Sequence, residues 1–142
     1  MNKISSILNG KSNELWSVKS DDLVHSAIRL MAEKGIGALL VIDNGKLSGI
    51  LSERDYARKI FLENRSSSTA KVSEIMTDDV MTITLDNSIN ECMSMMTEND
   101  FRHLPVVENE KVLGMVSIGD LVKAVIKEQQ FTITQLEQYI SG

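Results

Sequence analysis

The sequence of 142 residues is poor in the residues that support disulfide or metal chemistry. Its single cysteine, Cys92, cannot form a disulfide within the chain, which is typical of a reducing compartment. Two histidines, His25 and His103, add no cluster with the spacing of a metal site. We therefore expect neither a disulfide-stabilised secreted domain nor a bound metal.

Long apolar runs and an excess of positive charge are also missing. No run approaches the roughly 20 apolar residues that span a bilayer, and the first ten residues lack the apolar core of a secretory signal. With 15 Lys and Arg against 20 Asp and Glu, the net charge of -5 argues against a general nucleic-acid or membrane-surface binder. We expect a soluble, cytoplasmic protein that binds neither.

The sequence does have an ordinary globular composition and an internal repeat. Hydrophobic residues make up 42% of the chain, enough for a buried core. A shift of 65 residues aligns Leu15–Ile60 with Val80–Val125 without a gap. Upstream, Ile4–Leu8 resembles Val72–Met76, so each repeat is expected to begin with a short helix. Identical pairs in the alignment include Asp21/Asp86, Met31/Met96, Leu39/Leu104, Val41/Val106, Gly49/Gly114, Ser52/Ser117 and Asp55/Asp120.

Each repeat predicts the element order β-α-β-β-α. The short strands Trp16–Val18 and Met81–Leu85 are followed by Asp21-Asp22 or Asp86-Asn87, which we interpret as helix-start residues. A helix with one apolar face, a β-hairpin and a second helix follow. The buried face of the first helix is predicted to contain Val24, Ala27, Ile28 and Met31, or Ile89, Cys92, Met93 and Met96.

The chain therefore divides into a first unit, a linker, a second unit and a tail. The predicted bounds are 4–64, 65–71, 72–127 and 128–142. The Ser-rich composition of the linker also suits a loop that touches a ligand. An amphipathic tail could dock on its own domain or on a partner subunit, and its apolar residues are Phe131, Ile133, Leu136, Tyr139 and Ile140.

One motif occurs in both repeats where a strand ends and a helix begins. It has the pattern Gly, two apolar residues, Ser, two variable residues and Asp, at Gly49–Asp55 and Gly114–Asp120. Ser at the N-cap with an acidic residue three positions later forms a capping box, which needs no ligand. A helix N-terminus also attracts phosphate, and a nearby Asp can accept the hydroxyls of a ribose. The recurrence of the motif favours the second interpretation.

With this repeat and both motifs, the chain resembles the tandem cystathionine-β-synthase (CBS) domain pair, or Bateman module. The resemblance covers about Ile4–Ile126 and implies an α+β fold of two βαββα units related by a pseudo-twofold axis, with adenine nucleotides in two clefts between them. It implies ribose binding by Asp55 and Asp120 and phosphate contacts by Ser52 and Ser117. Stand-alone bacterial CBS-pair proteins are especially similar in the segments Gly35–Leu40, Ser52–Lys59, Arg102–Pro105 and Gln135–Ile140.

The same resemblance assigns further residues to the two clefts. The residues that surround adenine in the family correspond to Val18 and Lys19 in one cleft, and to Ile83 and Thr84 in the other. Arg102-His103-Leu104-Pro105 matches the basic pair that reaches phosphate in the family, whereas the first repeat has Gly37 and Ala38 at the places of Arg102 and His103.

The two clefts are therefore expected to differ in affinity. Arg54 lies inside the first motif and can offset the missing basic pair, because a guanidinium suits phosphate. His103 could instead be a half-buried structural histidine, and Arg54 a solvated residue at a helix start. The small side chains at Gly37 and Ala38 leave room for a dinucleotide.

The resemblance implies a regulatory module that binds AMP, ATP or NAD/NADH and signals occupancy to an unknown protein target through the geometry of a homodimer. A ligand-independent interaction scaffold is the alternative. We expect no catalysis, because the chain has no nucleophile and base constellation and Cys92 lies on an apolar helix face.

Overall fold

The computed structural model describes residues 3–10 and 15–141 and has a mixed α+β fold, as the sequence predicts. Within these residues, no helix combines the length and apolarity needed to cross a membrane. The elements in chain order are α1 (Ile4–Asn9), β1 (Ser17–Val18), α2 (Val24–Lys34), β2 (Ala38–Asp43), β3 (Lys46–Ser52), α3 (Glu53–Tyr56), a π-helical turn (Ala57–Phe61), α4 (Val72–Ile75), α5 (Ile89–Asn99), β4 (His103–Glu108), β5 (Lys111–Ser117) and α6 (Ile118–Ser141).

The described residues form two compact bodies. We call residues 15–81 with 109–113 the first body, and residues 3–10, 82–108 and 114–141 the second body. The first body has a sheet in the order β1-β2-β3, and β4 pairs with β5 in a two-stranded sheet. Each β-hairpin predicted from the sequence is present.

Each short lead-in helix packs in the body that contains the other repeat. In the second body, the Ile4 and Ser5 amides at the start of α1 donate to the carbonyls of Asn87 and Leu85 at 3.0 and 3.2 Å. In the first body, the Val72 and Ser73 amides of α4 donate to the equivalent carbonyls of Asp22 and Ser20 at 2.8 and 3.0 Å. The repeats in the sequence and the compact bodies of the fold therefore divide the chain differently.

The prediction of a strand at Met81–Leu85 is wrong, and Pro105 explains why. In the first repeat, the amide of Leu40 donates to the carbonyl of Trp16 at 3.3 Å and extends the parallel pairing of β1 with β2. Pro105 occupies the place of Leu40 in the second repeat and has no N–H to donate. Only an isolated parallel bridge between Ile83 and Val106 forms there.

The helix-start residues also differ from the prediction. Helix α2 has Leu23 at its N-cap, and the amides of Val24 and His25 donate to the carbonyls of Ala70 and Ser67 at 2.9 Å. The segment predicted as a linker therefore supplies backbone acceptors to this helix. Asp22 instead accepts from the Lys19 amide at 2.9 Å, and Asn87 from the Thr84 amide at 2.8 Å, so both form turns before the helix.

The hydrophobic core of the first body confirms the apolar face predicted for α2. Val24, Ala27 and Met31 are buried, and Ile28 packs against them in a partly buried position. In α5 the buried residues are Ile89, Cys92 and Met96, whereas Met93 is half-buried. Burial of these faces is what holds such short elements in place, because isolated helices of this length are marginal in water.

Helix α6 continues without a break from the second motif to Ser141 and is 24 residues long. The predicted tail is thus the second half of this helix rather than a separate element. Its apolar side chains at Phe131, Ile133, Leu136, Tyr139 and Ile140 are all exposed.

Candidate functional site

The first motif forms a capping box at the junction of β3 and α3. The Asp55 amide donates to Ser52 Oγ at 3.2 Å, and the Ser52 amide donates to Asp55 Oδ2 at 3.0 Å. Ser52 Oγ lies 3.0 Å from the same carboxylate oxygen. Both side chains are half-buried, so the carboxylate is held rigidly at the helix start.

The second oxygen of Asp55 faces Thr77, which the sequence analysis missed. Thr77 Oγ1 lies 3.4 Å from Asp55 Oδ1, and the Thr77 backbone exchanges hydrogen bonds of 3.0 and 2.9 Å with Ile50. Gly49 permits this approach, because a Cβ there would lie 2.6 Å from the Thr77 carbonyl oxygen. The only sequence signal for Thr77 is its place directly after the lead-in segment Val72–Met76.

Gly37 and Ala38 lie beside the first motif, as expected. The Glu53 amide donates to the Gly37 carbonyl at 3.0 Å, and Ala38 pairs with Ser52 across the strands. Arg54 is half-buried in α3 within the same group. The structure therefore brings Gly37, Ala38, Ser52, Arg54 and Asp55 together within the first body.

Val18 and Lys19 line a different part of the first body. Val18 is buried in β1, opposite Val41, whereas Lys19 is exposed. Both line an open depression of about 790 Å³ together with Asp43, Asn44 and Gly45. Among the described residues that line this depression, none belongs to the motif. The predicted adenine residues and the motif are thus not joined by this cavity.

The second motif repeats the capping geometry at the junction of β5 and α6. The Ser117 amide donates to Asp120 Oδ2 at 2.9 Å, and the Asp120 amide donates to Ser117 Oγ at 3.1 Å. The Ile118 amide donates to the Arg102 carbonyl at 2.9 Å, which matches the bond between Glu53 and Gly37 in the first repeat. Arg102 therefore lies beside the second motif.

The other predicted residues of the second body follow the same strand. Half-buried His103 begins β4, and Pro105 is buried two residues further on. The Pro105 carbonyl accepts from the Ile83 amide at 3.0 Å, and Ile83 is buried. Thr84 is exposed in the following turn.

A third capping box in the chain uses glutamate in place of aspartate. The Glu91 amide donates to Ser88 Oγ at 3.0 Å, and the Ser88 amide donates to Glu91 Oε1 at 3.1 Å. The hydrogen bonds from Ser88 lower the pKa of Glu91. Glutamate therefore serves as a cap in this protein, yet both motifs have the shorter aspartate.

Within the part of the chain that the structure describes, no group of three His, Cys, Asp or Glu side chains is placed to hold a metal ion. Fold and motifs instead define a pair of repeated α+β units, each with a Ser and an Asp at a helix start. The family model of the CBS domain matches residues 5–62 and 72–127. The chain belongs to the CBS domain family and carries two CBS domains in tandem.

Known proteins with similar chains support this assignment. A solved structure of a protein with CBS domains from Burkholderia ambifaria is 51% identical, covers 92% of this chain and 98% of its own, and has a TM-score of 0.87. The mitochondrial CBS domain-containing protein CBSX3 of Arabidopsis thaliana is 41% identical over 94% of this chain and 68% of its own length.

A third relative shares the fold at lower identity. The CBS domain pair of protein MJ0100, solved in complex with 5′-methylthioadenosine and S-adenosyl-L-methionine, is 23% identical with a TM-score of 0.79. That similarity covers 90% of this chain and 98% of the MJ0100 chain.

Proposed function

We propose that this protein is a regulatory module that binds adenine nucleotides, with AMP, ATP or NAD/NADH as the candidate ligands, at its two Ser-x-x-Asp motifs. Occupancy is signalled to a partner protein through the geometry of a homodimer. The module performs no catalysis and works in the cytoplasm. The MJ0100 pair, whose ligands both contain adenosine, supports this class of ligand.

The choice of aspartate over glutamate carries the proposal. The box at Ser88 and Glu91 demonstrates that glutamate caps a helix in this chain. A capping role alone would therefore not require aspartate twice. The shorter side chain keeps the carboxylate close to the strand end, where a ribose bound beside the helix start presents its two hydroxyls.

The carboxylate of Asp55 also has acceptor capacity left. Oδ2 receives the hydrogen bonds of the cap, whereas Oδ1 receives the long 3.4 Å contact from Thr77. A carboxylate oxygen accepts two hydrogen bonds, so Oδ1 can take a ribose hydroxyl while the cap stays intact. Thr77 Oγ1 can contact the same sugar.

Phosphate recognition is proposed for the residues around the cap. Arg54 in the first body and Arg102 in the second body supply positive charge beside a helix start, and the imidazole of His103 adds a hydrogen-bonding group next to Arg102. Ser52 and Ser117 lie at the starts of α3 and α6. Gly37 and Ala38 carry little or no side chain, so the first site has room for the second phosphate of a dinucleotide.

Replacing each aspartate by glutamate tests the proposal without removing the cap. Asp55→Glu and Asp120→Glu should each weaken nucleotide binding at least tenfold in titration calorimetry. The melting temperature of the unliganded protein should change little, because Ser-x-x-Glu is itself a capping box. The ligands titrated are AMP, ATP, NAD, NADH, 5′-methylthioadenosine and S-adenosylmethionine.

Glu91→Asp is the matched control, since it makes the converse change in a cap outside the motifs and should leave binding unchanged. Trp16 is the single tryptophan and lies directly before β1, so a change in its emission reports a ligand in the first body. If no nucleotide binds, or if both Asp55→Glu and Asp120→Glu bind with unchanged affinity, the interaction scaffold replaces the sensor as the function.

A further inference from the structure

Five exposed apolar residues of α6 follow a heptad, whereas exposed Phe131 and Tyr139 lie outside it. Val122, Ile126, Ile133, Leu136 and Ile140 have spacings of four, seven, three and four residues, and Gln129 completes the alternation of four and three. The apolar members are 41–83% exposed. Such spacing is typical of the contact line, or seam, between two paired helices. One core position of the heptad is then occupied by Ile126, Ile133 and Ile140, and the other by Val122, Gln129 and Leu136.

A second copy of this chain is the occupant that the charges favour. Lys123 and Glu137 occupy the same flanking position two heptads apart, and both are exposed. When two identical helices run antiparallel, this position faces itself across the twofold axis, so Lys123 meets Glu137 of the other copy at both ends. A parallel pair would not join these two residues.

The same antiparallel register also aligns the apolar residues. Ile126 then faces Leu136 of the other copy, and Val122 faces Ile140. Gln129 faces Ile133 near the centre, where a polar residue sets the register at a cost in stability. The seam from Val122 to Ile140 covers 19 residues. The 18 steps between its ends correspond to about 27 Å of helix.

We propose that two copies of the protein associate through the exposed stripe of α6, defined by Val122, Ile126, Ile133, Leu136 and Ile140, in antiparallel orientation. The inference rests on the homodimer of the proposed function and names its surface. It does not depend on nucleotide binding. The seam is shorter than the three to four heptads of an independent coiled coil, so the pairing requires the folded bodies and is tested on the full chain.

Single cysteines at the two ends of the stripe test the orientation. Cys92 is fully buried and does not interfere with added cysteines. Val122→Cys protein and Ile140→Cys protein should form a disulfide-linked dimer after they are mixed and oxidised, and neither should do so alone. A dimer formed by Ile140→Cys alone would show parallel helices and overturn the proposal.

Substitutions on and off the stripe test the surface. Leu136→Asp should convert the dimer to monomer in analytical ultracentrifugation. Phe131→Asp, at a similarly exposed apolar residue outside the stripe, should leave it dimeric. Lys123→Glu should weaken the dimer about three- to tenfold, because it places like charges at both ends. The exchange Lys123→Glu with Glu137→Lys should restore it, and Lys127→Glu should have no effect.

The outcomes separate this inference from the proposed function. Suppose that the wild type is dimeric, that the Leu136→Asp variant stays dimeric, and that the mixed Val122→Cys and Ile140→Cys proteins form no disulfide. This result would overturn the α6 surface but not the homodimer. A monomeric wild type would overturn both statements about the dimer. Neither result bears on nucleotide binding, which calorimetry measures separately.

Discussion

Ser20 and Asp43 are joined by two hydrogen bonds that tie the end of β2 to the turn before α2. The Ser20 amide donates to Asp43 Oδ1 at 3.0 Å, and the Ser20 hydroxyl donates to Asp43 Oδ2. Ser48 donates to Oδ2 as well, at 2.6 Å. The second repeat keeps part of this link, since the Leu85 amide donates to Glu108 Oε1 at 3.1 Å.

Asp43→Asn should lower stability in a pH-dependent way. Hydrogen bonds from the Ser20 and Ser48 side chains lower the pKa of Asp43 below its ordinary value of 3.8. The stabilisation is therefore present above about pH 4 and is lost as the pH falls through the lowered pKa of the folded state. Melting curves at pH 7 should place the variant below wild type, and the difference should shrink toward pH 3.

Asp21→Asn is the control for this experiment. Its carboxylate is highly exposed and forms an ion pair of 3.9 Å with Lys71. The Asp21→Asn variant should have the same melting temperature as the wild type at pH 7. A difference between Asp43→Asn and wild type that stays constant down to pH 3 would contradict the assignment of the effect to the carboxylate.

Gly49→Ala should destabilise the protein more than Gly114→Ala, although both glycines occupy the same place in the motif. A Cβ at Gly49 would collide with the backbone oxygen of Thr77 at 2.6 Å, whereas one at Gly114 would meet the flexible end of Leu8 at 3.0 Å. Urea denaturation should reveal a loss of about 1–3 kcal/mol for Gly49→Ala, the usual cost of overpacking. Equal losses in the two variants would contradict this explanation.

Glycine should stabilise both hairpin turns, so introducing it in the second turn and removing it from the first should have opposite effects. Asn44 and Gly45 have φ angles of 51° and 79°, and the equivalent Asn109 and Glu110 have 51° and 66°. Glu110 thus adopts a left-handed conformation that glycine adopts without strain. Glu110→Gly should raise the free energy of unfolding by about 0.5–1 kcal/mol, and Gly45→Ala should lower it by a similar amount. A destabilised Glu110→Gly variant would indicate that the side chain contributes contacts that outweigh the strain.

Cys92 should be unreactive in the folded protein. Its side chain is fully buried in α5, and burial raises the pKa of its thiol to about 11. At pH 8 the thiolate fraction is then about 0.1%, far below that of an ordinary cysteine. A chromogenic disulfide reagent should label no thiol in the native protein and one per chain in denaturant. A Phe131→Cys variant, with its cysteine at an exposed position outside the α6 stripe, is the positive control for native labelling.

Much of the fold could be predicted because its signals are local. The apolar spacing in α2 and α5 and the turn residues at Asn44 and Asn109 lie within a few residues of the elements they specify. The motif residues Ser52, Asp55, Ser117 and Asp120 lie at helix starts as expected. Their role as nucleotide ligands stays a prediction.

The missed features depend on residues distant in the sequence. The strand at Met81–Leu85 fails because its neighbour contains Pro105, and α2 takes its first acceptors from Ser67 and Ala70 rather than from the adjacent aspartates. Thr77 reaches Asp55 only because strand β3 passes close to it at Gly49. No local pattern reports such a contact.

The sequence alone determined the repeat, the two motifs and the order of helices and strands apart from the strand expected at Met81–Leu85, since periodicity and capping preference are properties of neighbouring residues. Tertiary structure decided which body each lead-in helix joins and which side chain faces the motif aspartate of the first repeat. The physical reason is that α1 and α4 are short helices with too little apolar surface to be stable alone. Their places are therefore chosen by the packing and backbone acceptors that the folded bodies offer.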